Sequence, residues 1–292
     1  MDQPAPHSPL SQASALPCGS IEVLPRTAAA IADFRSLLAP GTRIYIAHVH
    51  GTPVDDMVKT ATRLRGEGFA VMPHIPARSI GGPEDLQLLL TRYRQEADVR
   101  EALLLGGGAT SPAGRFTSCR DMLETGLFEA LGFERLHVAG HPEGNRDIDP
   151  DGSTGEADRA LFWKQDYARR TGIAMAIITQ FAFEPTCFIT WSERIAALGI
   201  TLPVHVGLAG PTKLQTLIKY AIACGVGPSL KVLQKRALDV RRLLTPFEPT
   251  ELAGALTAYK QANPESLISA VHLFPLGGID PAARWMSAHP TA

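Results

Sequence analysis

The 292-residue chain has little of several things, and each shortage excludes a class of function. Neither sign of charge dominates: 28 Lys and Arg stand against 29 Asp and Glu, so no polybasic surface is implied and nucleic acid is not expected as a partner. No run of about 18 apolar residues occurs, which excludes a membrane-spanning helix. The four cysteines, Cys18, Cys119, Cys187 and Cys224, contain no C-x-x-C pair. That argues against a structural zinc site and suits reduced thiols in the cytosol, so a cytoplasmic location is expected. The first 19 residues, rich in Pro, Ser, Ala and Gln, have neither the positive stretch nor the apolar stretch of a secretory signal. Residues 1–18 read as a disordered arm.

What is present is 45% hydrophobic and 20% charged residues, enough for one large core. Apolar runs of strand length alternate with helix-length segments, the pattern of a parallel sheet. Strands are expected near Gly19–Val23, Arg43–Ala47, Ala70–Pro73, Glu101–Leu105, Arg135–Ala139, Met175–Thr179, Pro203–Val206 and Ala270–Leu273. Eight strands predict a closed α/β barrel, a (β/α)8 TIM barrel forming a single domain over residues 19–292. Thr52-Pro53-Val54-Asp55-Asp56 predicts a helix start with Thr52 as cap and Pro53 in the first turn, leading into an amphipathic helix over Asp55–Gly66. Gly81-Gly82-Pro83-Glu84-Asp85 predicts another. Between Gly207 and Phe274 the spacing is too long for one β/α unit, which predicts an inserted helix pair, Thr212–Ala223 and Ser229–Leu244, and a further helix over Pro249–Gln261.

Several strand ends carry polar groups. Glu22 lies in the apolar run Ser20-Ile21-Glu22-Val23, where burial is expected to raise its pKa and make it a usable general acid; a solvated strand-end carboxylate is the alternative. Gln180 follows Ile177-Ile178-Thr179 and offers an amide that donates and accepts without charge, or serves as a loop hydrogen bonder. Phe183 suits either the same pocket or the core. His74 follows the third strand, and His48 and His50 alternate beyond the second; a metal held by these three has no spacing signature, and no metal is expected. Leu105 leads into Gly106-Gly107-Gly108, a triplet that lets a ligand approach closely or simply makes a turn, and is not a dinucleotide fingerprint.

The fifth and sixth strand ends, Val138-Ala139-Gly140-His141-Pro142-Glu143-Gly144-Asn145 and Ile177-Ile178-Thr179-Gln180-Phe181-Ala182-Phe183, resemble the methylenetetrahydrofolate reductase family, in its short bacterial form. The similarity runs from about Ser20 to about Leu276. It implies a tetrahydrofolate derivative as substrate, a nicotinamide cofactor, NADH or NADPH, and bound FAD as hydride carrier. By resemblance, Glu22 is the acid or base at folate N10, Gln180 anchors the pterin, and Phe183 and Leu214 line its pocket. His74, Leu105, Gly106, Gly107, Gly108, Ala139, Gly140, His141, Glu143, Asn145 and Gln165 fall to the cofactor site.

The chain departs from the family where charge matters. Gly106-Gly107-Gly108 replaces an Arg-Gly-Asp, His141 the motif tyrosine, Asn145 the motif histidine, and Gly277-Gly278 an Asn-Arg. The expected activity is interconversion of 5,10-methylenetetrahydrofolate and 5-methyltetrahydrofolate. Direct hydride transfer without flavin, a non-redox folate-binding barrel, and a metal-dependent lyase or hydrolase using His48, His50 and Glu22 are the competing readings. A homo-oligomer is compatible with all of them.

Overall fold

The computed structural model describes residues 16–223 and 246–289. Eight parallel strands close into one barrel in sequence order: β1 (Cys18–Val23), β2 (Arg43–Ile46), β3 (Ala70–Pro76), β4 (Glu101–Leu105), β5 (Arg135–Gly140), β6 (Ala174–Phe181), β7 (Val204–Ala209) and β8 (Ile268–Phe274). The α/β (β/α)8 architecture follows the strand spacing. The eight expected strands are all present, with ends shifted by up to three residues.

The helices around them are α1 (Pro25–Ala29), α2 (Val54–Gly66), α3 (Pro83–Ala97), α4 (Cys119–Leu123), α5 (Leu127–Ala130), α6 (Gly155–Thr171), α7 (Pro185–Ala197), α8 (Leu214–Ala223), α9 (Thr250–Ala262) and α10 (Ile279–Ala288). Thr52 is not the cap of α2. Pro53 takes that place in an extended conformation, and Asp55 and Asp56 fill the first turn, where the helix dipole favours acids. Asp149, 3% exposed, caps α6 from outside: its carboxylate accepts from the N–H groups of Glu156 and Ala157 at 2.8 and 3.1 Å.

Alternation along each strand sorts the side chains into two layers. Ile21, Ile44, Ile75, Leu104, Val138, Ile177, Val206 and Leu273 join helix residues such as Leu64, Leu90 and Phe188 in the outer core. Inside the barrel a separate small cluster holds Tyr45, Met72, Leu103 and Ile178, with Leu105 packed against it.

The barrel begins earlier than the arm expected over residues 1–18 allows. Residues 1–15 of that arm lie outside the described residues, but Leu16 and Cys18 are buried, and Pro17 accepts a 2.7 Å hydrogen bond from the N–H of Val271. Apolar contact and one ladder bond thus tie this segment down. The helix expected over Ser229–Leu244 also lies outside the described residues, as does Cys224. Cys18, Cys119 and Cys187 are free thiols, and burial pushes that of Cys18 up to about 12. Among the described residues no helix is long and apolar enough to cross a membrane.

Candidate functional site

Inward positions on the strands carry an unusual amount of polarity for a barrel lumen. Glu22 on β1 and His74 on β3 face each other with Oε2 and Nε2 3.2 Å apart, at ion-pair distance but off the line of a well-aligned hydrogen bond. Their side chains are 21% and 10% exposed, so the pair sits just inside the mouth. Burial is the strongest single influence on the Glu22 carboxyl and opposes its ionisation. The charge and close polar contact of His74, with a smaller pull from His272, outweigh it and lower the pKa. The expectation of a raised pKa is therefore corrected: a carboxylate beside an imidazole holds its charge where one in an apolar run would not.

Below and beside this pair lie groups that single-strand inspection did not single out. Ser20 Oγ and His272 Nδ1 share a 2.9 Å hydrogen bond, and Tyr45 OH and His137 Nδ1 share one of 2.5 Å. The Tyr45 ring touches His272, with centroids 4.5 Å apart, and that of His137 touches His205 at 5.0 Å. Burial keeps these imidazoles neutral: His272 falls to about 3, His205 to about 4, and His137 well below its ordinary value. A signal for them does exist in the sequence. Leu136-His137-Val138, Val204-His205-Val206 and Val271-His272-Leu273 each set one histidine between apolar residues on a strand, which is the pattern of an inward-facing position.

The other sequence candidates divide. Gln180 is half-buried at the end of β6. Phe183 and Leu214 join Phe181, Ala209, Leu217 and Ala221 in an apolar cluster beyond the ends of β6 and β7, with Phe247, Phe274 and Leu276 against it. The rings of Phe181 and Phe183, of Phe181 and Phe274, and of Phe183 and Phe247 meet edge to face. This is an aromatic wall on one side of the mouth, and Phe181, Phe247 and Phe274 were not among the expected residues.

Ala139, Gly140 and His141 line a cavity of about 30 Å3 with Lys164, Trp191 and Arg194, between β5, α6 and α7. Gly140 has to be glycine, since a Cβ there would lie 2.5 Å from Ile177 and 2.9 Å from Trp191. Burial, and then the nearby Lys164 ammonium, lower His141 to about 4. Glu143 is half-buried in the following loop.

One candidate is not brought to the mouth. Gln165 is buried in α6 and its amide is spent below: Nε2 donates to Gly199 O at 3.0 Å and Oε1 accepts from Thr201 N–H at 2.6 Å, fastening α6 to the turn before β7. Asn145 Oδ1 accepts from Asp147 N–H and shapes its own loop. The glycine triplet has its carbonyls held from one side. Arg78 wraps it, with its backbone N–H donating to Gly106 O at 3.0 Å and its guanidinium reaching Gly107 O and Ala109 O at 3.4 and 3.2 Å. Leu105 packs into the lumen. His48 is half-buried and His50 exposed. Among the described residues, no three or more His, Cys, Asp or Glu are grouped to hold a metal ion.

The class these features define is a TIM barrel with a half-buried carboxylate–imidazole pair at its carboxyl-end mouth. No family model matches the chain. In fold it is similar to an uncharacterized protein from Clostridium thermocellum that binds two copies of 5-methyl-5,6,7,8-tetrahydrofolic acid, with a TM-score of 0.58 and 12% identity, over 94% of this chain and 95% of that one. A dihydropteroate synthase from Thermus thermophilus matches at a TM-score of 0.45 and 14% identity, over 94% of each chain.

Proposed function

We propose that this barrel binds a reduced folate at its mouth and interconverts 5,10-methylenetetrahydrofolate and 5-methyltetrahydrofolate, with a nicotinamide as hydride partner. The observation that carries the reading is the Glu22–His74 pair, a carboxylate and an imidazole 3.2 Å apart in a mostly water-excluded mouth. Support also comes from the folate ligand of the Clostridium protein with the same fold, and from the resemblance of the β5 and β6 ends to the reductase family.

In this mechanism the pair holds one proton. In the reducing direction that proton goes to folate N10 as the ring opens, and hydride then adds to the exposed carbon. In the oxidising direction Glu22 takes the proton back. His74 stabilises the carboxylate in between. Gln180 donates and accepts at the pterin, and the Phe181, Phe183 and Phe274 wall takes its face.

The residues present fit FAD incompletely. Gln165 is spent elsewhere, Asn145 Oδ1 accepts within its own loop, Arg78 is committed to loop carbonyls, and the cavity beside Ala139 has room for about one water rather than a ring system. Direct transfer from nicotinamide to the folate is the version this geometry favours. The test is a visible spectrum of fresh protein with and without added FAD, followed by NADH and then methylenetetrahydrofolate in one cuvette. Folate-dependent NADH loss without flavin bands is expected. Bands that bleach with NADH and return with folate would instead restore the flavin carrier, and folate binding without turnover would leave a non-redox binding protein.

A further inference from the structure

Direct hydride transfer needs nicotinamide and folate on the protein at the same time, with the reacting carbons about 3–3.5 Å apart. The mouth beside Glu22 and the aromatic wall is given to the folate, so the rest of the nicotinamide cofactor needs a place of its own within reach. The cavity beside Ala139, at about 30 Å3, is too small for it. A second cavity, of about 690 Å3, lies between the loop after β7, the loop after β8 and α10. Its volume is that of a cofactor site, about 300–1,000 Å3.

This cavity and the mouth share a rim. Leu276 lines the cavity and packs against the aromatic wall. Thr212 lines it too, and its backbone exchanges hydrogen bonds of 3.0 and 2.7 Å with that of Phe247, whose ring belongs to the same wall. The two loops meet closely there, since a Cβ on Gly277 would overlap Pro211 O and Thr212. Loops after the seventh and eighth strands are also where barrels of this fold frequently hold phosphate.

Beyond the rim, Pro281, Arg284, Trp285 and Ala288 recur at three- and four-residue intervals, so one face of α10 makes a wall about 10 Å long. The cations on the cavity suit a diphosphate. Lys213 is exposed and in no ion pair among the described residues. Arg284 is paired with Asp280, one turn back on its own helix, but both side chains are largely in solvent, where such a pair is weak and a doubly negative group displaces it easily. At the far end His289 stacks on Trp285, with centroids 4.5 Å apart and planes within 22°, and the Trp285 indole is held by its bond to Thr250. That fixed pair offers a ring face to a base. Glu248 lines the cavity as well and supplies a carboxylate for ribose hydroxyls.

We propose that this cavity holds the adenosine diphosphate half of the nicotinamide cofactor, with Lys213 and Arg284 on the diphosphate and the nicotinamide passing over the rim at Leu276 to the folate. The proposal rests on the direct-transfer reading, because a cofactor that left before folate arrived would need no second place. Folate and dinucleotide then bind together without displacing one another.

The experiment titrates ADP-ribose, which lacks the nicotinamide, into the full chain by calorimetry, with and without saturating 5-methyltetrahydrofolate. Initial rates with NADH and methylenetetrahydrofolate are then measured in wild type, Lys213→Glu and Arg284→Gln, whose exposed side chains can be changed without disturbing the core. ADP-ribose is expected to bind in the presence of the folate and to compete with NADH alone. Each variant should raise KM for NADH at least about tenfold through the loss of a charge-assisted bond, while affinity for 5-methyltetrahydrofolate stays within about twofold. A merely structural role would move both. Wild-type KM for NADH in both variants, or ADP-ribose displaced by the folate, overturns the cavity and leaves the acid–base reading of Glu22 intact. A wild type with no folate-dependent loss of NADH overturns the reaction, and this role of the cavity with it.

Discussion

The two faces of the same eight strands differ more than any two domains of the molecule could. Outward, Ile21, Ile44, Val138, Ile177 and Val206 meet helices in a mainly apolar layer; inward, one residue along, stand Ser20, Glu22, Tyr45, His137 and His205. Burying apolar area is non-directional and drives folding, so the outer layer tolerates any chemistry within. Polar groups in the lumen need partners at fixed positions, so the inner layer is where small changes reach the proposed reaction. Stability and chemistry are thus divided by a two-residue period.

The sharpest way to break this division is to damage one face and read the other. Phe188→Ala, in the outer core, should cost about 3–5 kcal/mol in a denaturant titration and leave turnover per folded molecule within about twofold. Glu22→Gln should do the reverse, with turnover falling by about 100-fold or more while folate still binds and the chain still unfolds cooperatively. Unimpaired turnover in that variant would remove Glu22 from its role.

Acid should destabilise the inner face selectively. His272 and His205 titrate at about 3 and about 4 in the folded chain. In the unfolded chain they titrate near 6.5, so the unfolded state binds more protons below that pH. Their contribution is complete above about pH 6.5 and lost as pH falls toward 3–4, up to about 3 kcal/mol for His205. Glu22, with a lowered pKa, contributes in the same sense, present above its ordinary carboxylate range and lost below it. Thermal unfolding between pH 7 and 4 should show the loss, and His205→Gln should flatten it. A slope unchanged in that variant would place the effect elsewhere. The smallest expected effect is peripheral: Thr250→Val removes the acceptor of the 2.9 Å bond from Trp285 Nε1 and should cost about 1 kcal/mol.

Much of the frame could be read from residue order, because strand length, turn chemistry and apolar periodicity are local properties. Pro83 with Glu84 and Asp85 starts α3 where expected, and Gly140 belongs to the fifth strand end. The departures have a common cause. Thr52 lost its cap because the chain remains extended through Pro53, and Leu16 and Cys18 left the arm because β8 was there to pair with. Gln165 carries the right functional group for a ligand, yet a nearer acceptor and donor claimed it.

Sequence alone determined the alternation of strands and helices, hence the closed barrel, and set Glu22, His74 and Gln180 at strand ends. Which groups became neighbours was decided only by closure. Barrel curvature brings β1 to β3 and β2 to β5 and β8 across the lumen, so the sign of the Glu22 shift and the Tyr45–His137 contact depend on strands 52 and 92 residues apart. No local pattern encodes such a distance, whereas the two-residue alternation that aims each side chain inward is written in every strand.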